Sequence, residues 1–145
     1  MDMENLMKEY EEKRNEHCKA LKDRIKLICT VLEASVITTI TVNYDGAGDE
    51  GFVTEVIFHS QNQVYEGALP EDELSPIINF GRDKEAKIDL REFFEIACCD
   101  ILPEGWEIND GSYGFLKIDV KQKTVQHEHN TRFTDVVTSL EDFAL

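Results

Sequence analysis

The sequence predicts an α+β domain. Its antiparallel β-sheet has four to five strands in two hairpins, covered on one face by a long N-terminal helix and a second helix. Three observations carry this expectation. Residues 3–34 hold no Gly or Pro and repeat apolar side chains at helical spacing. Two pairs of alternating, β-branched and aromatic runs follow, each pair joined by a turn segment. Between the pairs, Asp89 with Glu92 three residues on has the pattern of a capping box and opens a second apolar stripe. At 145 residues the chain reads as one domain, with a helix over 1–35 and a sheet-containing body over 36–145.

Taken in order, the first helix carries Met3, Met7, Tyr10, Cys18, Leu21, Ile25, Ile28 and Leu32 in one stripe, interrupted by Arg14. Glu4 with Lys8 and Glu9 with Lys13 are favourable i,i+4 pairs. Val36 to Tyr44 is a strand with Val36, Ile40, Val42 and Tyr44 on one face. The loop Asp45 to Gly51 connects it to a return strand, Phe52 to His59, with Phe52, Val56 and Phe58 sharing a face. Val64-Tyr65-Glu66 can add a third short strand, and Leu69 to Lys87, with Pro70 and Pro76, reads as irregular. The second helix places Leu90, Phe93, Phe94, Ala97 and Ile101 on one face and stops at Leu102-Pro103. Tyr113 to Val120 and Thr124 to Asn130 form the second hairpin, and the tail docks through Val136, Leu140 and Phe143.

Thirty Asp+Glu stand against 15 Lys+Arg, a net charge of −15. Residues 1–35 are nearly balanced, so the excess belongs to the body. Val36 to Gly81 and Glu92 to Leu116 contain no Lys or Arg at all. Binding of a phosphate backbone by a basic face is therefore not expected. No apolar run is long enough to cross a bilayer, and Met1 to Asn5 lacks the pattern of a secretory signal, so a cytoplasmic location is expected. Cys18, Cys29, Cys98 and Cys99 form no C-x-x-C pair. Reduced thiols follow, with Cys99 the most exposed.

Three segments are candidate sites. Asp45, Asp49 and Glu50 offer oxygen ligands to a hard cation, but the spacing is not that of an EF-hand loop, and turn geometry accounts for the same residues. His127 and His129 share one strand face, while Glu128 and Asp119 point to the other. A four-position turn pairs Val120 with Val125, sets the histidines opposite Ile118 and Leu116, and makes them core-facing, hydrogen-bonded imidazoles. Trp106 and Tyr113 form either an aromatic recognition rim beside Asp110 or the closed end of the core, and both readings stand open. No nucleophile elbow, P-loop or dinucleotide fingerprint is present, so neither catalysis nor a cofactor is expected.

Tyr44-Asp45-Gly46-Ala47-Gly48-Asp49-Glu50-Gly51 is similar to a Y-D-G-x-G-D-x-G signature. Trp106 to Gly114 resembles W-E-x-N-D-G-x-Y-G, and Asn130-Thr131-Arg132-Phe133 resembles N-x-R-[FY]. Together they resemble a family of small uncharacterised bacterial or phage proteins of unknown function, over residues 36–133 and without the helix 1–35. The resemblance implies the strand–loop–strand plan and a bacterial or phage origin, and it implies no catalytic residue.

The function expected is that of a non-enzymatic acidic interaction module engaging a basic protein surface. It is a candidate nucleic-acid mimic that inhibits a DNA- or RNA-binding machine such as a CRISPR or restriction complex. The contact candidates are Asp45, Asp49, Glu50, Glu55, Glu71, Asp72, Glu73, Glu107 and Asp110, with Trp106 and Tyr113 as the aromatic rim. One alternative is a divalent-metal domain, hydrolytic in its fullest form, in which Asp45, Asp49, Asp110 and either His129 or Glu107 converge at one end of the sheet. Another is a structural subunit that docks or oligomerises through the helix 3–34.

Overall fold

A computed structural model describes residues 2–47, 50–102, 111–131 and 137–145. Among the described residues the order is α1 (Met3–Leu32), β1 (Thr39–Ala47), β2 (Glu50–Ser60), β3 (Gln63–Val64), α2 (Glu71–Ile78), α3 (Leu90–Ile101), β4 (Ser112–Asp119), β5 (Thr124–Thr131) and β6 (Val137–Ala144). The strands form one antiparallel sheet, in the order β3-β2-β1-β4-β5-β6. The fold is α+β as expected, with six described strands in place of four to five.

Helix α1 divides into two halves. Asp2 caps it by accepting a hydrogen bond from the Asn5 N–H at 3.0 Å. Its second half buries Leu21, Ile25, Ile28, Cys29 and Leu32, whereas Met3, Met7 and Tyr10 on the first half are exposed. Arg14, which interrupts the apolar stripe, marks the division and donates to the Leu102 carbonyl at 3.1 Å. The helix ends at Leu32, where the Ser35 hydroxyl donates to the Leu32 carbonyl at 2.7 Å. The following turn exposes Val36 and buries Ile37, so β1 begins at Thr39 and not at Val36.

Ile40, Val42 and Tyr44 of β1 face the helices, as alternation requires. The seven-residue loop expected at 45–51 is mostly strand. Asp45 pairs with Phe52, Gly46 with Gly51 and Ala47 with Glu50. A bulge also corrects the expected face of β2. Asn43 opposes Glu55 while Tyr44 opposes Val53, so Thr54 is the extra residue, and its hydroxyl donates to the Asn43 carbonyl at 3.2 Å. Beyond the bulge the parity reverses. Val56 and Phe58 are buried, Val53 joins the core, and Phe52 is 58% exposed.

The segment expected to be irregular contains α2. Glu71, Asp72 and Glu73 fill its first turn, where carboxylates complement the helix dipole. Leu74 and Ile78, one turn apart, bury its inner face. Pro76 removes one backbone donor, a loss that so short a helix tolerates two residues before its end. Helix α3 has the expected cap, with Asp89 accepting from the Glu92 N–H at 2.8 Å. It buries Leu90, Phe93, Phe94, Ala97 and Cys98. Leu21 to Leu32, α2, α3 and one face of the sheet close around a single core. Among the described residues no helix covers the opposite face.

The tail, expected to dock by isolated side chains, is an edge strand. Phe143 of β6 turns to the helix side, where the Lys22 ammonium lies 4.9 Å from its ring centre.

Candidate functional site

The described parts of the three segments that carry the family resemblance, 44–47 with 50–51, 111–114 and 130–131, lie side by side at one end of the sheet. Gly46 pairs with Ser112 and Ser112 with Thr131, and in the next row Asp45 pairs with Tyr113 and Tyr113 with Asn130. In the row after that come Tyr44, Gly114 and His129. Residues far apart in the chain thus form one continuous patch.

On the helix-facing side of this patch, Tyr44 crosses Gly114 to reach the histidines of β5. Its hydroxyl lies 2.8 Å from Nε2 of His127 and 2.6 Å from Nδ1 of His129, with the Glu128 carbonyl oxygen at 3.3 Å. The Tyr44 ring is stacked on His129 and tilted against His127, with centres 5.8 and 5.9 Å apart. Only glycine at 114 allows this. A Cβ there would run into the Glu128 carbonyl and stand 2.8 Å from the Tyr44 hydroxyl. The register corrects the sequence expectation by two residues while keeping the face. His127 opposes Leu116 and His129 opposes Gly114, because the turn pairs Asp119 with Thr124.

The hydroxyl has one proton to donate, so at least one of the two imidazoles presents N–H to it. Burial pushes the Tyr44 phenol well above its ordinary range, which keeps it protonated. Burial also lowers both histidines. In His127 the neighbouring His129 adds to this, and Glu141 opposes it from 3.9 Å. The cluster is therefore a chain of neutral hydrogen-bonding groups inside the sheet wall. Burial likewise raises the Cys29 and Cys98 thiols to about 11 and about 12, so neither supplies a thiolate near neutral pH.

The opposite face of the sheet is open and acidic. Alternation places Asp45, Glu55, Glu128, Asp119 and Asp142 there, with Lys117 as a base among them. Tyr113 and Phe115 lie between these carboxylates, and exposed Phe52 stands at the end of the Asp45–Tyr113 row. Asn130 pins the row to β6, accepting from the Thr138 hydroxyl at 2.5 Å and donating to the Glu128 carboxylate at 3.5 Å.

Of the acidic contact candidates, Asp45 and Glu55 thus share the open face with the rim residue Tyr113. Glu71, Asp72 and Glu73 are exposed at the start of α2, in the helical layer. Asp49, Glu107, Asp110 and Trp106 lie outside the described residues, as does the side chain of Glu50. For the metal alternative, Asp45 and His129 point to opposite faces and do not converge. Among the described residues no group of three or more His, Cys, Asp and Glu is placed to hold a metal ion. Nor is any helix long and apolar enough to cross a membrane. Sequence reading missed Tyr44 as the partner of both histidines. Its signal was a core-facing tyrosine on a strand whose neighbour carries a glycine, but only the strand order brings the two together.

No curated protein and no solved structure matches the chain. A family model matches residues 21–143, which takes in the buried half of α1, whereas the sequence resemblance began at residue 36. That match runs from the core half of α1 into β6 and takes in β1 to β5 whole, so the chain belongs to the family of unknown function DUF6878.

Proposed function

We propose that the chain is an interaction module whose open sheet face engages a basic surface of another protein. The observation that supports this most is the distribution of charge across that face: five carboxylates, one from each of five adjacent strands, share it with Lys117 and with the aromatic rings of Tyr113 and Phe115. Such a surface attracts a cationic groove over several ångströms, and its rings add contact area once the two meet. The backbone beneath Asp45, Asp119 and Glu128 is held by ladders on both sides, so these carboxylates are fixed in place and little ordering is needed on binding.

The finer reading is nucleic-acid mimicry. Rows of carboxylates on a twisted sheet present negative charge to a protein that normally binds a phosphate track, and so compete with its nucleic acid. A cytoplasmic setting and a bacterial or phage origin belong to the same reading. The test is displacement of a labelled DNA or RNA duplex from purified nucleic-acid-binding complexes, repeated across a salt series. Displacement that weakens as salt rises supports the proposal. Failure to displace from any complex, or an affinity indifferent to salt, contradicts it.

A further inference from the structure

The two edges of the sheet are finished differently. At one edge the short strand β3 pairs with the end of β2, and the Arg91 guanidinium of α3 donates to the Val56 carbonyl. At the other edge β6 has β5 as its one strand neighbour among the described residues. Its sequence, Val-Thr-Ser-Leu-Glu-Asp-Phe-Ala, has no Pro or Lys, its ladder with β5 has no bulge, and its only charges are Glu141 and Asp142.

Which backbone groups β6 leaves open follows from its ladder. The Leu145 N–H donates to the Lys123 carbonyl, continuing the register that pairs Thr124 with Ala144. In an antiparallel pair such bonds recur at every second residue, so Val137, Ser139, Glu141 and Phe143 turn their N–H and C=O groups toward β5. Thr138, Leu140, Asp142 and Ala144 turn theirs outward. We infer that this edge pairs with the β6 edge of a second copy, about a two-fold axis at Leu140, to make one continuous sheet.

The register selects the second copy as occupant. A two-fold axis perpendicular to the sheet keeps both helical layers on one side and places Leu140 opposite Leu140 of the other copy. Thr138 then opposes Asp142, and Ser139 opposes Glu141. Leu140 is 66% exposed in the single chain and meets an apolar twin. Each carboxylate meets a hydroxyl-bearing residue. The outward groups of Thr138, Leu140 and Asp142 fall into hydrogen-bonded pairs in this register. Centring one residue later sets Glu141 against Glu141, a like-charge pair directly across the ladder. Centring one residue earlier leaves Asp142 beyond the end of the described strand. The strand is thus self-complementary in one central register.

Two chains of charge −15 repel, so added salt favours this pairing, the opposite of its effect on an acidic face bound to a basic partner. Sedimentation equilibrium of the whole chain across a salt series tests the inference. The expected result is a species of twice 16.7 kDa whose share grows with salt. A Leu140→Lys variant, which sets two ammonium groups at the axis, is expected to be monomeric with unchanged circular dichroism. A monomer under all conditions overturns the inference, as does a folded Leu140→Lys variant that still dimerises. If that variant fails to fold, amide exchange on the unaltered chain decides. Protection at Leu140 and Asp142 that grows with concentration supports the pairing, and fast exchange there at every concentration overturns it. Binding of an unrelated extended peptide in place of a second copy leaves the mass monomeric and also overturns it.

Discussion

Tyr44 ties β1 to β5, across the strand between them, through one oxygen atom. Its hydroxyl serves His127, His129 and the Glu128 carbonyl, so replacing it with Phe leaves one buried and one half-buried imidazole nitrogen without this partner. Tyr44→Phe is expected to cost about 1–2 kcal/mol in urea unfolding. Gly114→Ala is expected to cost more, about 3 kcal/mol, since the added methyl meets a backbone carbonyl that cannot rotate away. The histidines set a direction for pH. Both hold a folded pKa below the ordinary 6.5, so the unfolded chain binds more protons as pH falls through that value. Their contribution to stability is complete above 6.5 and is lost as pH drops toward the lowered folded values. Titration of the two imidazoles by NMR is expected to give midpoints below 6.5. A midpoint at or above it would show that the Tyr44 cluster does not bury them as described.

At the scale of elements, the legible and the illegible parts of the fold have separate causes. The Asp89 cap, the stripe of α3 and the core face of β1 depend on neighbours within a few residues, and local pattern reveals those. The bulge at Thr54 depends on which strand lies opposite, so simple alternation sent Phe52 to the core and left Val53 out. Helix α2 was hidden because Pro76 and three acids in a row suit a loop as well as a helix start. Only the packing of Leu74 and Ile78 on α1 and α3 decides between them. The candidate site was half legible. The face of the histidines followed from parity, whereas Tyr44 and the acidic rows require the strand order. The division of α1 supports an expectation of its own. Removing residues 1–13 leaves every buried α1 side chain in place, and the unfolding midpoint should change little. Removing 1–34 takes away Leu21, Ile25, Ile28, Cys29 and Leu32, and a chain starting at Ser35 should lose cooperative unfolding. If that shorter chain melts cooperatively, the helix is an adaptor and not core.

For the whole molecule, the division of charge matters more than its total. Thirty carboxylates would make any small protein attractive to a cation. The proposed function instead depends on where they stand: Asp45, Glu55, Glu128, Asp119 and Asp142 in rows on the open sheet face, against Glu71, Asp72 and Glu73 at a helix start in the other layer. Two double charge reversals separate location from bulk charge, because each changes the net charge equally. Glu55→Lys with Glu128→Lys alters the open face, and Glu71→Lys with Glu73→Lys alters α2. In the displacement assay, with folding of both variants checked by thermal unfolding, the open-face pair is expected to lose competition and the α2 pair to retain it. Equal losses in the two variants, or loss in the α2 pair alone, would contradict the open face as the binding surface.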